Sequence, residues 1–123
     1  MRMQDTIGLS LSGLCLVHCL AVPVLISIAP AVSWMGNELI HIGLANFALL
    51  VSLSAVRQWP GGLTGLMLTI LAGLGVSLLF HGALSEMSEG VERITTSIGA
   101  AALAAAHILA WLNPTPRHRH PFP

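Results

Sequence analysis

An all-α membrane protein, a bundle of four transmembrane helices, is the fold class that this sequence predicts. Three observations carry that reading. Hydrophobic residues make up 54% of the 123-residue chain and charged residues only 8%, against about a quarter charged in an ordinary soluble domain. Mean hydropathy is +0.81. The apolar residues fall into four runs, each near the roughly 20 residues that cross a bilayer, and Pro, Gly and polar residues separate them.

The first run extends from about Ile7 to Ala29. Ala29-Pro30-Ala31 resembles a small-residue cleavage site, but the run is longer than the roughly 7–15 residues of a signal-peptide core. It also carries Cys and His, which a discarded peptide does not need. The second run covers Leu39 to Val56, the third Leu63 to Phe80 and the fourth Val91 to Leu112. Pro30 to Asn37 holds Pro, Trp, Gly and Asn, and Arg57 to Gly62 reads RQWPGG, both turn compositions. His81 to Gly90 holds polar and acidic positions and ends on Gly. Asn113-Pro114 stops the last helix. The chain thus divides into a transmembrane domain, 1–113, and a short tail, 114–123.

Charge gives the expected orientation. There is no Lys, and the five Arg balance five acids. With four spans, Arg2, Arg57, Arg117 and Arg119 share one side and Arg93 alone lies on the other. The positive-inside rule places the Arg-rich side in the cytoplasm, N-in and C-in, in the inner (plasma) membrane. Glu38, Glu86, Glu89 and Glu92 then face outward. Trp59 and Trp111 are expected at the inner boundary and Trp34 at the outer one. Membrane lipid is an implied partner. Nucleic acid is not, for want of a basic stripe. Homo-oligomerisation is left open.

Lipid provides no hydrophobic drive for helix association, so small residues must let backbones approach. Each run has a candidate stripe: Gly8, Ser12, Cys15 and Cys19; His41, Ala45, Ala48, Ser52 and Ala55; Gly65, Thr69, Gly73, Ser77 and His81; Thr96, Ala100, Leu103 and His107. Steps of three and four keep each set on one helix face, so these faces are expected to look inward. Pro23 removes a backbone donor above the cysteines and should kink the first helix there.

Cys15-Leu16-Val17-His18-Cys19 carries the chemistry. Residues three and four apart on a helix are neighbours, so Cys15 meets both His18 and Cys19. Two thiolates and an imidazole form a soft ligand set for a thiophilic or borderline metal. Two thiolates alone would be costly in a membrane; with a divalent cation they form a roughly neutral unit, and the metal keeps them deprotonated. A Cys15–Cys19 disulfide ranks lower, because nearly parallel side chains one helical turn apart suit its dihedral poorly. Plain packing is the simpler explanation of a Cys in a membrane interior, but two Cys with a His between them favour a site. By depth, His107 is a candidate further ligand, since an intramembrane His is a functional hypothesis in its own right. His41 and His81 fall near the outer surface with Glu38, Glu86 and Glu89, either as a capture site or as interfacial histidines solvated by headgroups. His118 and His120 sit in the tail, a weaker signal.

A chain this small, with four spans and a cysteine pair in the first helix, resembles the MerC family of membrane proteins. The likeness covers the whole architecture and rests chiefly on CLVHC within Gly13 to Pro23 and on AHILAW at the end of helix four. It implies uptake of mercuric ion, Hg(II), passed inward through Cys15 and Cys19. This chain differs from the mercury-transporting members in two respects. They carry a Cys-x-x-Cys pair, whereas here the cysteines are four apart with His18 between. They also have a cysteine pair near the C-terminus, where this chain has His118 and His120. The added imidazole suits zinc, Zn(II), as well as mercury. Two other readings remain: a haem-binding or electron-transfer protein with histidine axial ligands, for which His18 and His107 are the plausible inner pair, and a membrane packing subunit without a site. With no nucleophile–base arrangement, phosphate loop or soluble catalytic domain, an enzyme is not expected.

Overall fold

The computed structural model describes residues 3–114; Arg2, Arg117, His118, Arg119 and His120 lie outside them. Four long helices form: α1 (Met3–Ile28), α2 (Glu38–Val56), α3 (Gly62–Leu84) and α4 (Glu89–Leu112), with a 3-10 helix, Pro30–Gly36, between the first two. All four are long and apolar enough to cross a membrane, with mean hydropathy from 1.5 to 2.3 over their best windows. The chain is a multi-pass membrane protein, as its composition predicts. The predicted spans match the helices to within a few residues: α1 ends one residue before its run, every helix starts before its run, and only α3 also extends beyond it. α1 begins at Met3 and so takes in Asp5, while His81 and Gly90 lie inside α3 and α4 rather than in the connection.

The helix starts follow local chemistry. Asn37 caps α2, its side-chain oxygen accepting the Leu39 N–H at 2.8 Å. Glu38, and Glu89 with Glu92, place negative charge in the first turns of α2 and α4, where the helix dipole favours it. At the start of α3, Gly62 takes φ +74, a left-handed backbone that suits glycine.

The helices close into a ring in chain order. α4 packs most extensively, on α3 and on α1, and α2 bridges α1 and α3. The interior is built of small residues and the exterior of large ones. Ala45, Ala48, Ala55, Ala72, Ala100, Ala106 and Ala110 are buried, whereas Leu14, Val17, Leu50, Leu66, Ile70, Leu74 and Ile98 are more than half exposed. Lipid is the solvent for that outer surface, so close backbone approach, not burial of large side chains, holds the helices together. At the α3–α4 crossing a Cβ on Gly75 would lie 2.8 Å from the carbonyl oxygen of Gly99, and the reverse holds for Gly99.

Three of the four predicted stripes face the interior. Gly8, Ser12 and Cys15 are buried with Cys19 half-buried; Ala45, Ala48, Ser52 and Ala55 are buried beside a half-buried His41; Thr96, Ala100, Leu103 and His107 are all buried. The stripe on α3 is a correction. Thr69, Gly73, Ser77 and His81 are exposed, and Gly65, Leu68, Ala72, Gly75, Leu79 and Gly82 form the inner face. Both rows contain small residues, but only the second brings Gly75 against Gly99. The outward hydroxyls do not need partners on another helix: Thr69 donates to the Gly65 carbonyl at 2.8 Å and Ser77 to the Gly73 carbonyl at 2.7 Å, bonds within their own helix that make such residues tolerable in lipid. Trp59 adds a contact that its expected depth did not specify. It lies in the turn after α2, at the end of the bundle, and is buried at 6% exposure, whereas Trp34 and Trp111 are exposed.

Candidate functional site

The first helix places its two thiols near the middle of its length. Cys15 is the thirteenth residue of the 26-residue α1, and one turn further along is Cys19. Both are free thiols. Cys15 is buried among the four helices, and Cys19 donates its S–H to the Thr96 hydroxyl of α4 at 3.2 Å. Thr96 in turn donates to the Glu92 carbonyl at 2.9 Å, which leaves its oxygen lone pairs toward the thiol. Pro23 lies within α1, four residues after Cys19. Having no N–H, it deprives the Cys19 carbonyl of its usual helical donor, so a backbone oxygen is released beside the thiol.

Two histidines flank the sulfurs. The rings of His18 and His41 meet edge to face, with centroids 5.0 Å apart. His41 Nδ1 is 3.2 Å from Glu92 Oε1, which fixes its ring. His18 Nε2 is buried and, among the described residues, has no hydrogen-bond partner. A buried imidazole nitrogen without a partner carries a desolvation cost that a cation could relieve.

These side chains line two adjoining cavities. A cleft of about 390 Å3 is walled by His18, Cys19, Pro23, His41, Glu89, Glu92, Arg93 and Thr96, among others. A second, smaller recess of about 20 Å3 shares His18, Cys19, His41 and Thr96 with the cleft and is also bordered by Cys15, room for about one water-sized particle. The mouth lies at the end of the bundle where α4 begins. Two carboxylates against one guanidinium give that mouth a net negative charge when the histidines are neutral. Among the described residues no three His, Cys, Asp or Glu side chains already converge as a metal cage. The recess is therefore a place where two thiols and an imidazole adjoin, not a finished coordination shell.

The other predicted ligands lie elsewhere. His81 is exposed and its Nδ1 pairs with Ser85 at 3.1 Å, away from the cleft. Glu89 lines the mouth with Glu92, whereas Glu38 and Glu86 do not. His107 sits at the opposite end of the bundle. Its ring is pressed against Gly8, seven residues before Cys15, which is about 10 Å along the helix axis. Its Nδ1 is 3.1 Å from Asp5 Oδ1, and Trp59 donates its indole N–H to the same oxygen at 2.9 Å. Asp5 and His107 are both almost wholly buried. Sequence reasoning missed Asp5 because the first apolar run begins after it. The signal was present in the register: Asp5, Gly8, Ser12, Cys15 and Cys19 continue one face of α1. The same displacement bears on haem, since His18 and His107 lie about ten residues of helix apart and His107 is held by Asp5.

Four helices long and apolar enough to cross a membrane, packed around a thiol-lined cleft with an acidic mouth, define a small multi-pass membrane protein. Residues 5–112 match the family model described as MerC mercury resistance protein, and the chain belongs to the MerC family. No curated protein and no solved structure gives a significant match.

Proposed function

We propose that this protein takes mercuric ion from the outer side of the inner membrane and carries it inward through Cys19 and Cys15. The observation that carries the reading is that the acidic cleft lined by Glu89 and Glu92 and the recess bordered by the two thiols share His18, Cys19, His41 and Thr96 as walls. The acidic mouth concentrates cations. His41, held by Glu92, and His18, with its open Nε2, offer weaker nitrogen ligands on the way. The thiols are the terminal soft site, and two thiolates neutralise a divalent ion that bare lipid would reject. His18 is the third ligand in this arrangement. It widens the range of cargo toward zinc, which usually takes four ligands, while mercury is satisfied by the two sulfurs.

The proposed orientation is N-in and C-in. Arg57 lies at the end of the bundle closed by Trp59, and the cleft opens at the other end. Reporter fusions after Met35 and Ser88 should read periplasmic and one after Trp59 cytoplasmic. A cytoplasmic signal at Met35 would invert the direction of transport.

Uptake of radiolabelled mercuric ion by cells or inside-in vesicles tests the function. Wild-type protein should raise uptake over vesicles without it, and the Cys15→Ser/Cys19→Ser variant should not. Glu89→Gln/Glu92→Gln should slow uptake severalfold at limiting metal and little at saturating metal, because the mouth acts on local concentration and not on the terminal site. Uptake by the double-serine variant equal to wild type would rule out the thiol route.

A further inference from the structure

One fixed cation stands where a metal ion is expected to enter. Arg93 is the fifth residue of α4 and lines the cleft with Glu89, Glu92, His18 and Cys19. A guanidinium cannot be deprotonated in a protein, so it opposes a free metal cation in a mouth that the two acids otherwise suit. Charged side chains in membrane helices usually pair. Glu89, four residues earlier, is spaced for such a pair, yet among the described residues Arg93 makes no ion pair, and Glu92 turns to His41 instead. Nor does Arg93 simply extend into the headgroup layer, as long cations at helix ends can, because it is half-buried in the cleft wall. We propose that the cleft receives its metal as the bis-thiolate complex of a small zwitterionic thiol, of the size and class of the amino acid cysteine, and that Arg93 binds the carboxylate of that ligand. The metal in this inference rests on the transport reading; recognition of the carboxylate by Arg93 does not.

Size and charge select this class. The cleft measures about 390 Å3, within the roughly 300–1,000 Å3 of small-molecule sites. The recess beside it measures about 20 Å3, enough for a bare ion and nothing larger. A bare ion needs only the recess; an ion that carries organic ligands needs the cleft. The guanidinium fork matches a carboxylate with two parallel N–H donors. Glu89 stands in the same walls as a partner for an ammonium group. A halide complex would use neither the fork nor the second sign of charge.

The two cavities also order the exchange. Cys19 borders both, whereas Cys15 borders only the recess. Cys19 therefore meets the complex first, and Cys15 takes the metal once its organic ligands stay behind in the cleft. In the first step one mercury–sulfur bond to a ligand breaks and one to Cys19 forms, and the Cys19 thiol proton leaves on the departing thiol. The second step repeats this at Cys15. Two free thiols return to the cleft, no net proton is released, and mercury stays divalent.

Uptake of radiolabelled mercury supplied in excess L-cysteine or in excess cysteamine, counted above cells that lack the protein, tests the proposal. Both complexes hold the metal by two thiolates, but only the first carries carboxylates, and the second is doubly positive. A mouth that merely attracts cations would favour the cysteamine complex. Wild type should instead take up the cysteine complex about tenfold faster at limiting metal, the worth of one charge-assisted hydrogen bond. Arg93→Gln should lower uptake of the cysteine complex about tenfold and leave that of the cysteamine complex within about twofold. Arg93→Lys should restore part of the rate, since it keeps the charge and loses the fork. Equal wild-type rates for the two complexes, or the same loss for both in an Arg93→Gln protein of wild-type folded yield, would overturn the proposal. Nitrogen-15 NMR of the unmutated full-length protein in lipid-free detergent reads the site without metal. S-methyl-L-cysteine should shift the Arg93 Nε–H resonance and 2-(methylthio)ethylamine should not; no shift with the amino acid would overturn the proposal. If wild type takes up mercury from neither complex nor from mercuric chloride, the transport reading fails separately, and the Arg93 shift alone decides whether the carboxylate is recognised.

Discussion

Gly8→Ala is expected to cost about 3 kcal/mol or more of folded stability, read as loss of folded yield and a lower melting temperature in detergent. A methyl at this position would overlap the His107 ring. That ring cannot swing away into solvent, because it is wholly buried and tied to Asp5, which also accepts from Trp59. Overpacking of a closed core costs about 1–3 kcal/mol. Breaking the buried polar contact behind it adds about 1–3 kcal/mol. Gly13→Ala is the control on the same helix, since a Cβ there meets nothing; it should leave stability unchanged or slightly raised, as alanine favours helix over glycine. Equal melting temperatures for the two variants would mean that the α1–α4 contact at the closed end is looser than the structure has it.

Cys15→Ser and Cys19→Ser are each expected to lower mercuric-ion affinity by about 100-fold or more, which is about 3 kcal/mol. The double variant should lose little more than either single one, because the two sulfurs act as one unit and removal of either dissolves it. Serine keeps the size and packing of each position, and Cys19→Ser retains a hydroxyl to donate to Thr96, so the fold should survive. His18→Ala separates the cargoes. It should weaken zinc strongly and mercury weakly, since only zinc needs the third ligand. If His18→Ala abolished mercury binding as completely as the cysteine changes, the imidazole would be an essential ligand and the assigned roles would be reversed. Titration with each metal after reduction of the protein checks all four variants.

The fold was legible because its signals are long and redundant. Four apolar runs, breaker-rich connections and three small-residue faces each specify the same bundle. The α3 face was not legible, because two small-residue rows of similar composition compete on that helix. The choice between them is made by Gly99 on another helix, which periodicity within α3 cannot register. Thr69 and Ser77 look like inward polar residues in the sequence, yet their hydroxyls are satisfied by carbonyls of their own helix.

The candidate site was legible in its sulfurs and not in its surroundings. CLVHC puts three ligand types on one helix turn from local spacing alone. His41 and Glu92 belong beside them through packing of α2 and α4, a long-range outcome that only the assembled ring reveals. His107 falls near the cysteines by residue count from the helix ends, but counting assumes equal starts. α1 begins earlier than its apolar run, and the Asp5 that it gains draws His107 toward the closed end.

X-ray absorption spectroscopy of the mercury-loaded protein tests the central claim most directly, because it counts the sulfur atoms bonded to the metal. Two sulfur ligands are expected in the wild type, one at most in Cys15→Ser and in Cys19→Ser, and no retained mercury in the double variant after washing with a competing thiol. Mercury retained by the double variant, or a wild-type signal with no sulfur in the first coordination shell, would contradict it.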